Sequence, residues 1–262
     1  MILNVGTHPA TVIENGVYYF TPSNYPQISA RELNSLLEFI NYESIYGRQT
    51  KIICEDEALL NKIKKVIANP GAVLNLTLPK KIDGCPNCFS KGCLTEFVYH
   101  ATTLHSTKKI LQSGKLLSAV KVYGKTGEEL AKEKYDCLWN DPADFFEYIM
   151  FTWGNCVVGD YVVMSDNPQQ GFTPGIRFYF RYSDLIKHPG HIFDGYHPIK
   201  VKDEIILLDY LHSCIITKQF KEQILPYISK ELKDKVHFIS QEKIDIWEWT
   251  KKVYNYIEGI NR

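Results

Sequence analysis

Three sets of residues in this 262-residue chain have types and spacings that can do chemistry. Cys85-Pro86-Asn87-Cys88 followed by Cys93 is a C-x2-C-x4-C run. Two thiolates two residues apart can share one tetrahedral ion, so Cys85, Cys88 and Cys93 are candidate ligands of a structural zinc. A fourth ligand would be His100, or Cys54, Cys137 or Cys156 through space; the competing reading is a Cys-rich turn with free thiols. Second, Tyr99-His100-Ala101-Thr102 closes an apolar run and precedes a helical pattern. Taken alone, such a histidine is a half-buried polar group and such a threonine a helix cap. Third, Glu204 stands directly before Ile205-Ile206-Leu207-Leu208, an acid at the head of an apolar strand. Asp203 and Asp209 are the competing carboxylates, and the plain alternative is a solvated strand-end charge.

Further candidates flank these. Arg177 and Arg181 are four apart in "GIRFYFRYSDLI" and share a face if that segment is a strand. A guanidinium fork matches phosphate oxygens, which makes Arg177 a candidate phosphate contact. The loop "HPGHIFDGYHP" (188–198) carries His191, Phe193, Tyr196 and His197, side chains that stack on or hydrogen-bond a nucleic-acid base, or that simply decorate a surface loop. Residues 108–134 hold seven lysines against three glutamates, either a phosphate-binding stretch or a solvated helix face.

The elements that position these residues divide into two units. Residues 1–82 read as a small α/β module: a turn and strand at 15–22, a helix over 29–47 with the S-x-x-E capping box Ser29/Glu32, a strand at 50–56, a helix at 57–71 and a strand at 72–79. Residues 83–93 form a Cys-rich linker. From 94 to 262 the pattern predicts a strand ending at Thr102 and a helix over 106–113. A helix from Asp141-Pro142 to Phe151 follows, then strands at 160–165, 175–186 and 199–211. Helices at 217–233 and 241–258 flank a strand at 235–239. Strands dominate the middle and helices the ends, so the fold class is α+β.

Composition narrows the function. Thirty basic and thirty acidic side chains cancel, so any polyanion site must be local. No apolar stretch approaches the roughly 18 residues of a membrane span, and no secretory leader is visible. Seven cysteines, an odd number, then point to a reducing cytoplasm. The chain carries no Walker loop, G-x-G-x-x-G, G-x-S-x-G or H-E-x-x-H, which removes support for NTPase, Rossmann, hydrolase and zincin readings.

The segment "EFVYHATTLHSTKKILQSGKLLS" (96–118), with His100, Thr102, Ile110, Leu111, Gly114 and Leu116, resembles the opening motif of the ADP-ribosyltransferase superfamily, in which a strand bearing H-x-T leads to a helix of the form I-L-x-x-G-x-L. "DEIILLDYL", with Glu204, resembles the late strand of the DarT-like nucleic-acid ADP-ribosyltransferases. The resemblance implies a split β-sheet core with flanking helices over 94–262. It implies NAD as substrate, held at His100 and Thr102, with Glu204 stabilising the oxocarbenium-like ribose. It also implies Arg177 at the pyrophosphate and an aromatic residue stacked on nicotinamide, for which Tyr148, Tyr161 and Tyr179 are candidates. A nucleic-acid acceptor, a toxin or phage-defence role and a neutralising protein partner follow from the same resemblance. Two other readings stand beside it: an RNA 2′-phosphotransferase-like enzyme, which does not need the late glutamate, and a non-catalytic binding protein organised by zinc.

Overall fold

Leu3 and Val5 alternate with Asn4 in β1 (Ile2–Val5), a period-two pattern that buries both apolar side chains in the centre of the first sheet. The computed structural model of the chain describes residues 1–9, 11–72, 95–133, 142–161, 163–167, 171–241 and 244–260. Of the strand expected at 72–79, Ala72 ends a 3-10 turn (Pro70–Ala72), and residues 73–79 lie outside the described residues, as does the cysteine run with Cys85, Cys88 and Cys93. β2 (Val12–Glu14) and β3 (Val17–Phe20) join through Asn15-Gly16, both at positive φ (48° and 76°), the conformation a two-residue hairpin needs. With β4 (Lys51–Cys54) they give the order β2-β3-β1-β4, in which β1 runs parallel to β3 and β4.

Helix α1 (Ala30–Ile45) begins with the capping box that its sequence announces. The Glu32 N–H donates to Ser29 Oγ and the Ser29 N–H to the Glu32 carboxylate (3.2 and 2.8 Å). Leu33, Leu36 and Leu37 are buried with the first sheet in one core. Phe39, Tyr42 and Glu43 are buried as well, because α1 also packs against the second unit. Helix α2 (Glu57–Ala68), capped by Asp56, adds Leu59 and Ile63 to the same core.

The second unit opens with β5 (Phe97–Thr102), α3 (Leu104–Ser113) and β6 (Lys115–Leu117), followed by the short helices α4 (Ala119–Tyr123) and α5 (Gly127–Lys132). The helix expected over 141–151 is instead a 3-10 turn (Ala143–Glu147), β7 (Tyr148–Met150) and β8 (Thr152–Trp153). Phe145 and Tyr148 enter the first unit's core while Ile149 and Phe151 enter the second's, so apolar residues on two opposite faces mimicked a helical stripe. The strand expected at 160–165 is a turn leading to the hairpin β9 (Ser165–Asn167) and β10 (Gly171–Thr173). β11 (Ile176–Arg181) and the one-turn helix α6 (Tyr182–Leu185) come next, then β12 (His191–Ile192). The single strand expected over 199–211 is broken into β13 (Lys200–Lys202), β14 (Glu204–Ile206) and one helical turn, α7 (Leu207–Tyr210). The break lies at Asp203, whose φ of 64° interrupts extended backbone. β15 (Leu211–Thr217), the four-residue α8 (Lys221–Ile224) among 3-10 turns, β16 (Val236–Ile239) and α9 (Ile246–Ile260) complete the chain.

The class is α+β. A central sheet, β16-β15-β11-β5-β8, has two covered faces. Helix α9 packs Trp249, Val253 and Ile257 on Phe97, Tyr99, Tyr179 and Ile215. The opposite face, with Val98, Phe178 and Phe180, meets a split layer made of β12-β13-β7 and β14-β6 through Ile149, Val201, Ile205 and Leu116.

The two units share a polar seam. Asp144 accepts from the Tyr42 hydroxyl and from Arg48 (2.6 Å), and Arg48 also holds Glu43 at 2.6 Å. The loop before β13 packs closely enough that Tyr18 donates to the Gly195 carbonyl (3.1 Å). Gly195 has φ 70°, and a Cβ there would lie 2.0 Å from the Ser35 carbonyl oxygen. Gly195→Ala is therefore expected to cost at least about 2 kcal/mol in urea unfolding. Gly16→Ala, at a similar φ with open space around it, is expected to cost less. Equal losses would mean that the seam is loose.

Candidate functional site

Alternation along β5 turns Val98, His100 and Thr102 toward the split layer and Phe97, Tyr99 and Ala101 toward α9. His100 Nδ1 lies 3.0 Å from the Met150 carbonyl oxygen. A carbonyl only accepts, so Nδ1 carries the proton and Nε2 is left as an acceptor. Burial lowers the His100 pKa, against a smaller opposing pull from the Met150 bond, and keeps the ring neutral at neutral pH. The cap of α3 is Thr103, whose Oγ1 accepts from the Ser106 N–H (3.3 Å). Capping therefore does not account for the buried Thr102. β11 pairs with the whole of β5, whereas β8 pairs only with Val98 and Tyr99. Among the described residues, the β5 edge at His100–Thr102 thus has no strand partner on the β8 side.

Glu204 is linked to the His100 segment through β6. β6 and β14 pair antiparallel, Glu204 opposite Leu117 and Ile205 opposite Leu116. The ladder is bracketed by Ser118 N–H to Asp203 carbonyl (2.8 Å) and Leu207 N–H to Gly114 carbonyl (2.9 Å). Gly114 closes α3 at φ 68°, as its place in the sequence predicts. Ile205 and Leu116 fill the core, so Glu204 projects from the other face of β14. Its side chain is 46% exposed and meets Lys115 Nζ at 3.0 Å. His188 lies within electrostatic reach: burial and His191 lower its pKa, and the Glu204 charge raises it. His100 and Glu204 are joined by the β5-α3-β6 connection and not by a hydrogen bond between their side chains.

Other sequence candidates sit elsewhere. Arg177 is fully buried under α9, paired with Asp160 and Thr250 and lying 4.6 Å from the Tyr99 ring centroid, so its guanidinium faces no pyrophosphate. Burial disfavours its charge, but the Asp160 carboxylate beside it keeps it protonated. Arg181 shares that face, as the strand spacing predicts, and pairs with Glu96 at the rim. Tyr148 is buried in the first unit's core with its hydroxyl 2.6 Å from that of Tyr46, which removes it from a nicotinamide-stacking role. Tyr179 is fully buried, while Tyr161 is exposed. Among the described residues, no group of three or more His, Cys, Asp or Glu is arranged to hold a metal, and Cys54, Cys156 and Cys214 form no disulfide. His197 binds Asp194 (2.9 Å) and is not clustered with His188 and His191. Among the described residues no helix is long and apolar enough to cross a membrane.

Two cavities lie along the seam between the units. One, about 420 Å³, is walled by Tyr46, Arg48, Glu128, Asp144 and Glu147. The other, about 80 Å³, is walled by Asn34 and Glu38 of α1 and by Trp153, Tyr182, Tyr196 and His197. Neither is lined by His100, Thr102 or Glu204. The sequence offered no signal for Glu38 or Trp153, since an acid on an amphipathic helix reads as its solvated face. Comparison with family models, curated proteins and solved structures returned no match.

Two outcomes follow from this geometry. Arg177→Leu leaves Asp160 without its buried partner and is expected to lower the unfolding free energy by about 3–5 kcal/mol in urea titration. A loss below about 1 kcal/mol would return Arg177 to the candidate ligand contacts. Because the folded state depresses the His100 pKa, its neutral ring favours folding above the ordinary value of 6.5, and that contribution fades as pH falls below it. His100→Gln is therefore expected to flatten the decline of stability between pH 7 and pH 5.

Proposed function

We propose that the chain from about residue 94 onward is an NAD-dependent ADP-ribosyltransferase acting on a macromolecule, with nucleic acid as the acceptor. The observation that carries this reading is the β6-β14 ladder, which ties the strand after the His100 motif to the strand bearing Glu204, about ninety residues later. Among the described residues the β5 edge at His100–Thr102 has no strand partner on the β8 side, which supports it, because a carboxamide needs both a backbone donor and a backbone acceptor. A neutral His100 with Nε2 free to accept suits a ribose hydroxyl, and the Thr102 hydroxyl suits a second.

In this reading the nicotinamide–ribose bond breaks with its electron pair leaving on nicotinamide. Positive charge grows at C1′ and the ring oxygen. The Glu204 carboxylate accepts a hydrogen bond from the 2′-hydroxyl and stabilises that charge. Lys115, 3.0 Å away, orients the carboxylate before NAD arrives. The acceptor then attacks C1′ and loses its proton. Fixing a long, bent dinucleotide in one conformation supplies much of the remaining acceleration. A toxin or phage-defence role with a neutralising protein partner accompanies the same reading.

The test is incubation of the purified chain with NAD labelled in its ADP-ribose part and separate pools of DNA, RNA and protein, with nicotinamide release followed in parallel. Glu204→Gln is expected to lower transfer at least about 100-fold. Its stability should change by no more than about 0.5 kcal/mol, because the pair with Lys115 lies at the surface. Transfer that survives the substitution would remove Glu204 from catalysis and favour the 2′-phosphotransferase-like chemistry. Absence of nicotinamide release with every acceptor would overturn the proposal.

A further inference from the structure

The cavity between α1 and the 193–198 loop combines aromatic walls with one polar edge. Trp153 and Tyr182 lie with ring centroids 5.2 Å apart, inclined at 44°, and Phe193 and Tyr196 add further aromatic surface. The polar edge comes from α1, where Asn34 and Glu38 are one helical turn apart and therefore share a face. Asn34 Nδ2 donates to Glu38 Oε1 at 2.8 Å and sets the orientation of the carboxyl group. Arg31 brings a planar donor group to the same wall.

We propose that this cavity reads a guanine base of single-stranded nucleic acid. Guanine presents two adjacent N–H donors, N1–H and N2–H, beside the O6 acceptor. A carboxylate accepts from both donors, and the Arg31 guanidinium suits O6. Adenine, cytosine and thymine each place an acceptor where one of those donors is required, which leaves a polar group unpaired in an enclosed site. Trp153, Tyr182 and Tyr196 supply stacking surface for the ring. The volume of about 80 Å³ is roughly half that of an apolar cavity able to hold benzene (about 150 Å³), so it takes the edge of one base while the rest projects through the open side. Such insertion needs an unstacked base and therefore a single strand. Burial pushes the Glu38 carboxyl up to about 7, with Asp194 adding to the shift and Asn34 and Arg31 opposing it. Asn34 donates to one oxygen of that carboxyl, and guanine brings two further donors.

The same loop connects this cavity to the candidate catalytic glutamate. It starts at His188, which feels the charge of Glu204, and ends at Tyr196 and His197 in the cavity wall. That the bound strand is the acceptor rests on the transfer reading; the recognition itself does not.

The test uses the full chain carrying Glu204→Gln, without NAD, and fluorescently labelled single-stranded octamers followed by anisotropy. Octamers containing guanine are expected to bind about tenfold or more tightly than guanine-free ones of equal length. Replacing guanine by hypoxanthine, which lacks the N2 amino group, should remove much of that preference while leaving the protein untouched. Adding Glu38→Gln should erase the preference, because an amide cannot accept twice along that edge. Equal binding of all octamers, no binding, or a preference that survives Glu38→Gln would each overturn the proposal. Nicotinamide release by the unmodified chain judges the transfer reading separately. Release without a guanine preference sinks the cavity assignment alone, and preference without release sinks the transferase alone.

Discussion

The buried ammonium of Lys200 is the constraint on which the two-unit arrangement depends. It has no exposed surface, lies 3.1 Å from the Asp194 carboxylate and faces the rings of Phe145 and Tyr42 at 3.7 and 3.8 Å from their centroids. An unpaired charge in such a place costs several kcal/mol, so all of these partners must be present at once. They come from β13, the 193–198 loop, the 143–147 turn and α1. Burial opposes the ionisation of Asp194, yet His197 and Lys200 hold it well below the usual carboxylate range. One ion pair therefore fixes the start of the strand pair leading to Glu204, the loop that walls the small cavity, and the helix that supplies Glu38.

Strand alternation decides the fate of the polar residues in the central sheet. His100 and Thr102 face the split layer, and among the described residues that stretch of β5 has no strand partner on the β8 side. Arg177 lies on the opposite face, which α9 seals, and it serves the interior through Asp160 and Thr250. A buried pair of this kind contributes little net stability while intact and costs a great deal when halved, which is how a structural arginine differs from a ligand-binding one. Tyr148 is likewise committed by packing, because α1 occupies the side of β7 toward which it points.

Local signals in the chain were legible wherever a backbone rule acts within a few residues. The Ser29/Glu32 box and Gly114 at the end of α3 each occupy the expected place. The reading failed where one segment serves two cores. Phe145, Tyr148, Ile149 and Phe151 are all apolar, but they belong to opposite sides of a turn and a strand. It failed again at Asp203, where extended backbone breaks without glycine or proline because hydrogen bonds to Ser118 and Glu147 hold the residue on both sides.

By itself the sequence determined the α+β class, the capped helices and the apolar strand that ends in His100 and Thr102, since these depend on periodicity and on contacts a few residues apart. Only the tertiary structure decided which candidate side chains have a surface to act on. Glu204 stays half-exposed because Ile205 takes the core position beside it, whereas Arg177 is sealed in because α9 covers its face. Glu38 becomes a cavity-lining acid because a helix that would otherwise expose it is pressed against the second unit. Burial is set by contacts between segments far apart in the chain, and the type of a residue carries no record of them.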